Sequence, residues 1–83
     1  MYQLKLTRRA KKELKNINQR YSSAIDASLM ELREDPFAGK PLTRELTGNF
    51  SYRVGVYRII YKINKQDKII YIVSAGHRST VYR

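Results

Sequence analysis

The chain has 83 residues, enough for one domain with a modest core and too few for a second. Its 17 Lys and Arg against 7 Asp and Glu give a formal net charge of +10, which favours an anionic partner such as nucleic acid, an acidic protein or an anionic membrane over basicity for solubility alone. No cysteine is present, so disulfides and thiolate metal sites are excluded, and with His77 as the single histidine a zinc site would have to rest on carboxylates; neither metal nor cofactor is expected.

The first stretch, "MYQLKLTRRAKKELK", has no apolar core long enough for a signal peptide, and no later run approaches a membrane span, so a cytoplasmic protein without a membrane partner is expected. Residues 2–6, "YQLKL", alternate apolar and polar, which predicts a short strand with Tyr2, Leu4 and Leu6 on one face. Thr7 is a suitable N-cap for "RRAKKELKNI", where Ala10, Leu14 and Ile17 recur at helical spacing among Arg8, Arg9, Lys11, Lys12 and Lys15. This predicts a basic amphipathic helix. After "NQR", the stripe Tyr21, Ile25, Leu29 and Leu32 predicts a second helix. Pro36 biases Asp35 away from helical geometry, so that helix should end near Glu34.

"PFAGKPLTRELTGN" holds both prolines and two of the four glycines and reads as an ordered loop. From Phe50 onward come three segments rich in β-branched and aromatic residues, "FSYRV", "YRIIYKI" and "KIIYIVSAG". Strand, two helices and three strands make an α+β fold: a small, mostly antiparallel four-stranded sheet with an αα-hairpin on one face and the other face open.

Gly55-Val56 fits a two-residue type II′ hairpin turn. That register sets Val54 against Tyr57, Arg53 against Arg58, Tyr52 against Ile59, Ser51 against Ile60 and Phe50 against Tyr61. Phe50, Tyr52, Val54, Tyr57, Ile59 and Tyr61 then form the core face, and Ser51, Arg53, Arg58, Ile60 and Lys62 the opposite one. Facing like charges cost up to about 1 kcal/mol, which a phosphate held by two planar guanidinium forks would relieve. The plainer alternative is that both arginines snorkel into water. The tail "GHRSTVYR" adds His77, Arg78, Tyr82 and Arg83. His77 is the one side chain whose ordinary pKa lies near neutrality and so a proton-transfer candidate, although a surface histidine would look the same. Tyr82 would stack on a base, donate a proton or anchor the tail. Brought to one side of the sheet, these residues would suffice to bind and cleave RNA. A Gly-rich phosphate loop, a Ser or Cys nucleophile with its relay, and the carboxylates of a two-metal nuclease are all missing from the sequence.

"SYRVGVYRIIYKI", "IIYIVSAGHRSTVYR" and the "GKPL" loop together resemble the RelE/ParE superfamily of type II toxin–antitoxin toxins, over nearly the whole chain. The resemblance implies a toxin neutralised by a cognate antitoxin, in a complex that is heterotetrameric or larger. RelE-type members are mRNA interferases of the ribosomal A site; ParE-type members inhibit DNA gyrase. On the RelE side it implies 2′-hydroxyl attack on the adjacent phosphate without a metal. Arg58 and Arg78 would hold that phosphate, Arg53 would position the backbone, Tyr82 would orient a base, and His77 would donate a proton to the leaving oxygen. Ser51 stands where another basic residue often lies, a departure that counts against RNA cleavage. Arg8, Arg9, Lys11, Lys12, Lys15, Lys40, Arg44, Lys62 and Arg83 are the expected contacts to RNA and the ribosome.

Overall fold

The computed structural model describes residues 1–43 and 47–77. Strand β1 (Gln3–Leu6) leads into helix α1 (Arg8–Lys15), a short 3₁₀ turn (Gln19–Tyr21) and helix α2 (Ser22–Glu34). A second 3₁₀ turn (Pro36–Ala38) is followed by β2 (Lys40–Pro41), β3 (Asn49–Val54), β4 (Tyr57–Asn64) and β5 (Ile69–His77). The sheet order is β1-β5-β4-β3-β2, with β1 parallel to β5 and every other pair antiparallel.

Among the described residues the sheet therefore has five strands where four were expected. The additional one is the two-residue β2, inside the stretch read as loop, and it pairs Lys40 with Ser51 and Pro41 with Phe50. So short a strand has no alternation to read, and its proline suits an edge. The helices are shorter than their stripes suggested. Helix α1 stops at Lys15 with Asn16 as C-cap, and Tyr21 belongs to the 3₁₀ turn before α2. Thr7 caps α1 as expected, its Oγ1 accepting from the Ala10 N–H at 3.1 Å. The same hydroxyl donates to the Val73 carbonyl at 2.9 Å, which fixes the start of α1 to β5.

Leu32, Ile59, Tyr61, Ile70 and Ile72 are fully buried, with Ala10, Ile25 and Ala75 packed among them. This core lies between the helices and one sheet face. Helix α1 lies against β5 and α2 against β3, where the Tyr52 hydroxyl donates to Glu31 Oε2 at 2.6 Å. That bond raises the Tyr52 pKa, because the phenol proton is shared with a carboxylate.

The hairpin register is the expected one, pair for pair, from Val54 opposite Tyr57 to Phe50 opposite Tyr61. Gly55 takes φ 59° at the first central position, where a Cβ is disfavoured and where a type II′ turn requires positive φ. Further along, Ile60 pairs with Ser74 and Tyr61 with Ile72, which leaves Val73 as the extra residue of a β-bulge.

Candidate functional site

The face of the sheet away from the helices is organised in rows, since residues paired across strands share a face. One row runs Arg53, Arg58, Gly76; the next runs Lys40, Ser51, Ile60, Ser74; a third runs Asn49, Lys62, Tyr71, Lys5. Arg53 and Arg58 are side by side as expected. Arg53 is exposed and its Nε donates to the Gly55 carbonyl at 3.4 Å; Arg58 is half-buried. Together with Lys40, Leu42 and Ser51 they line a hollow of about 330 Å³. Among the described residues the lining carries three cationic side chains and no carboxylate, a composition suited to an anion. Gly76, the neighbour of Arg58 on β5, presents no side chain to the row.

This face is less open than expected. Ser51, Ile60 and Ser74 are exposed by 9%, 5% and 3%, so the middle row is buried except at Lys40 on its edge, and solvent meets the sheet mainly at the cations.

Strand β2 brings Lys40 into the site, and two bonds hold β2 there. The buried Tyr61 hydroxyl accepts from the Gly39 N–H at 3.0 Å and donates to the Pro36 carbonyl at 2.7 Å, so one phenol grips both ends of the turn before β2. A Cβ on Gly39 would run into that hydroxyl and come within 2.9 Å of the Ser51 carbonyl. Burial pushes the Tyr61 pKa up to about 12, an effect only partly opposed by the Gly39 bond.

His77 is not brought to the arginines. It pairs with Tyr57, whose side chain belongs to the helix face, and the two rings meet edge-on at 6.2 Å. There His77 borders a separate hollow of about 310 Å³ with Glu13, Asn16, Ile17 and Tyr57. The cause is the bulge at Val73. Without it, His77 would share a face with Tyr71; the extra residue turns the last residues of β5 over. The expected grouping of histidine with the sheet arginines is thus corrected.

Of the other expected residues, Lys62 is exposed on the arginine face. Arg8, Arg9, Lys11, Lys12 and Lys15 are exposed on α1, in the layer behind the sheet. Arg9 Nε lies 3.2 Å from Glu13 Oε1, an oxygen that also accepts from the Ala75 N–H at 3.3 Å. Arg44, Arg78, Tyr82 and Arg83 lie outside the described residues. Two contributors to the arginine face were not singled out from sequence: Lys5, whose alternation in "YQLKL" placed it opposite the core, and Tyr71, whose face depends on the bulge.

A basic sheet face with an αα-hairpin behind it and a short edge strand beside it define a small α+β protein built to meet an anionic partner. Residues 4–82 match the family model described as the ParE toxin of the type II toxin–antitoxin system parDE. The chain is 34% identical to Toxin RelG of Mycobacterium tuberculosis, over 99% of this chain and 97% of the relative. It is 30% identical to Toxin RelE of the same organism, over 99% and 87%. Among solved structures, the toxin–antitoxin complex RelBE2 from Mycobacterium tuberculosis superposes with a TM-score of 0.86 at 34% identity, covering 93% of this chain and 98% of that one. The isolated E. coli RelE toxin shares the fold, with a TM-score of 0.80 at 24% identity, covering 99% and 92%. The chain belongs to the RelE/ParE superfamily and is a toxin of a type II toxin–antitoxin system.

Proposed function

We propose that this toxin is a ribosome-dependent mRNA endonuclease, held inactive by a cognate antitoxin. The observation that carries the reading is the Arg53–Arg58 pair beside Lys40, lining a hollow with no carboxylate among the described residues. Two arginines paired across adjacent strands can offer a phosphodiester two planar donor forks, and its oxygens accept such paired hydrogen bonds.

In the reaction the ribose 2′-oxygen attacks the adjacent phosphorus as its proton leaves, and the bond from phosphorus to the 5′-oxygen breaks. The products are a 2′,3′-cyclic phosphate and a 5′-hydroxyl, whose oxygen takes up a proton. Arg53 and Arg58 hold the non-bridging oxygens and stabilise the charge that grows there, and no metal is needed for that. Lys40 neutralises a neighbouring phosphate. By resemblance, Arg78 adds a further guanidinium and Tyr82 orients a base. Relatives solved in toxin–antitoxin complexes support the antitoxin as partner. The toxin works in the cytoplasm, where translation occurs.

The test is a translating extract in which mRNA 5′ ends are mapped with wild type, Arg53→Ala and Arg58→Ala. New 5′-hydroxyl ends are expected with wild type, and a loss of about 10²–10³-fold with each variant. Gyrase inhibition is the second reading, favoured by the ParE family model and by Ser51 in a place where a cation is usual. Intact message together with blocked DNA supercoiling would establish it instead.

A further inference from the structure

The third row of the arginine face carries chemistry that phosphate holding does not use. Tyr71 is 37% exposed and is flanked across the strands by Lys62 on β4 and Lys5 on β1, both exposed. No hydrogen bond or ring contact holds its side chain among the described residues. Strand positions on this face bear five cations, Lys5, Lys40, Arg53, Arg58 and Lys62, and no carboxylate. An aromatic ring lying open between cations on a β-sheet is the arrangement that receives an unpaired base: the ring takes the base's face and the cations take the phosphates on either side.

We propose that Tyr71, with Lys5 and Lys62, is a stacking platform for a nucleotide of single-stranded RNA lying beyond the bond held at Arg53 and Arg58. This rests on the reading of the toxin as an mRNA endonuclease and extends it to how the flanking strand is gripped. Arg58 and Lys62 lie four residues apart on β4, so the two rows are separated by about 13 Å, and a short run of extended nucleotides joins them. The positions between them on β4 and its neighbours, Ile60, Ser51 and Ser74, are buried and uncharged, so the strand would cross a neutral stretch from one cationic row to the other. The platform does not read base identity, because every base offers a face to stack on.

The experiment measures binding of the full-length protein to fluorescein-labelled oligouridylates of two lengths, an octanucleotide and a dinucleotide, each made uncleavable by 2′-deoxy substitution. Tyr71→Leu is expected to weaken octanucleotide binding by about five- to a hundredfold, while Tyr71→Phe, which keeps the ring, stays within about twofold of wild type. Neither change should alter dinucleotide binding. Lys5→Gln with Lys62→Gln should lower the slope of log affinity against log salt by about 1.4. Equal octanucleotide binding by wild type and Tyr71→Leu overturns the platform, even where mRNA cleavage in the extract is intact. Loss of antitoxin binding in Tyr71→Leu with RNA binding unchanged overturns it too, and assigns the face to protein. If the wild type neither binds these RNAs nor cleaves message, the endonuclease reading falls with it.

Discussion

His77 follows Gly76, the partner of Arg58, and its imidazole nevertheless points to the other side of the sheet, because successive side chains of a strand alternate. A proton donor to the leaving oxygen must come within hydrogen-bond reach of it, and the strand itself separates His77 from the arginine row. His77→Gln is therefore expected to cleave message within about threefold of wild type, with an unchanged pH profile, measured beside Arg58→Ala. A loss as large as that of Arg58→Ala would return His77 to the reaction. The arginine pair was legible in the sequence because Gly55-Val56 sets the register of everything around it. The histidine was not, because one bulged residue, Val73, reverses the parity that alternation would give.

At the scale of elements, β2 owes its place to a residue on another strand. Tyr61→Phe removes the donor to Pro36 and the acceptor for Gly39, leaving backbone groups unsatisfied at a cost of about 1–3 kcal/mol. The phenol also sets an alkaline limit. Its folded pKa of about 12 lies above the ordinary 10, so its contribution is complete below pH 10 and is lost as pH rises from 10 to 12. Chemical denaturation across that range is expected to show a fall in wild-type stability that Tyr61→Phe lacks; an identical decline in both would remove Tyr61 from this role. Both helices and the three long strands could be read from periodicity and turn residues. Strand β2 could not, since what selects it is a hydrogen bond between residues 22 positions apart.

Across the whole molecule, charge is divided between two layers. The arginine face carries its cations on strands, and α1 carries Arg8, Arg9, Lys11, Lys12 and Lys15 behind the core. A target that encloses the protein, as the proposed ribosomal site would, meets both layers. Replacing Lys11, Lys12 and Lys15 with Gln is expected to weaken ribosome association and flatten its salt dependence, with the arginine face untouched; ribosome binding equal to wild type would confine the footprint to the sheet. The α+β class was legible because helices and strands cluster separately along the chain. The division of charge was partly so, since helical and strand periods say which residues turn away from the core but not how the layers are joined.

The join between β1 and β5 has a consequence in time. Gln3 pairs with Ile69 and Leu6 with Ile72, and the Thr7 hydroxyl that caps α1 bonds to Val73. Among the described residues β1 thus finds its one sheet neighbour in β5, more than sixty positions along the chain, and closing so long a loop comes late in folding. A nascent chain that has made the helices and the hairpin still exposes one side of β4 and leaves β1 without a mate. The sheet is therefore finished only when β5 is free to take β1 along its open side, and until then the arginine face lacks the Tyr71 and Lys5 positions that β5 and β1 bring to it.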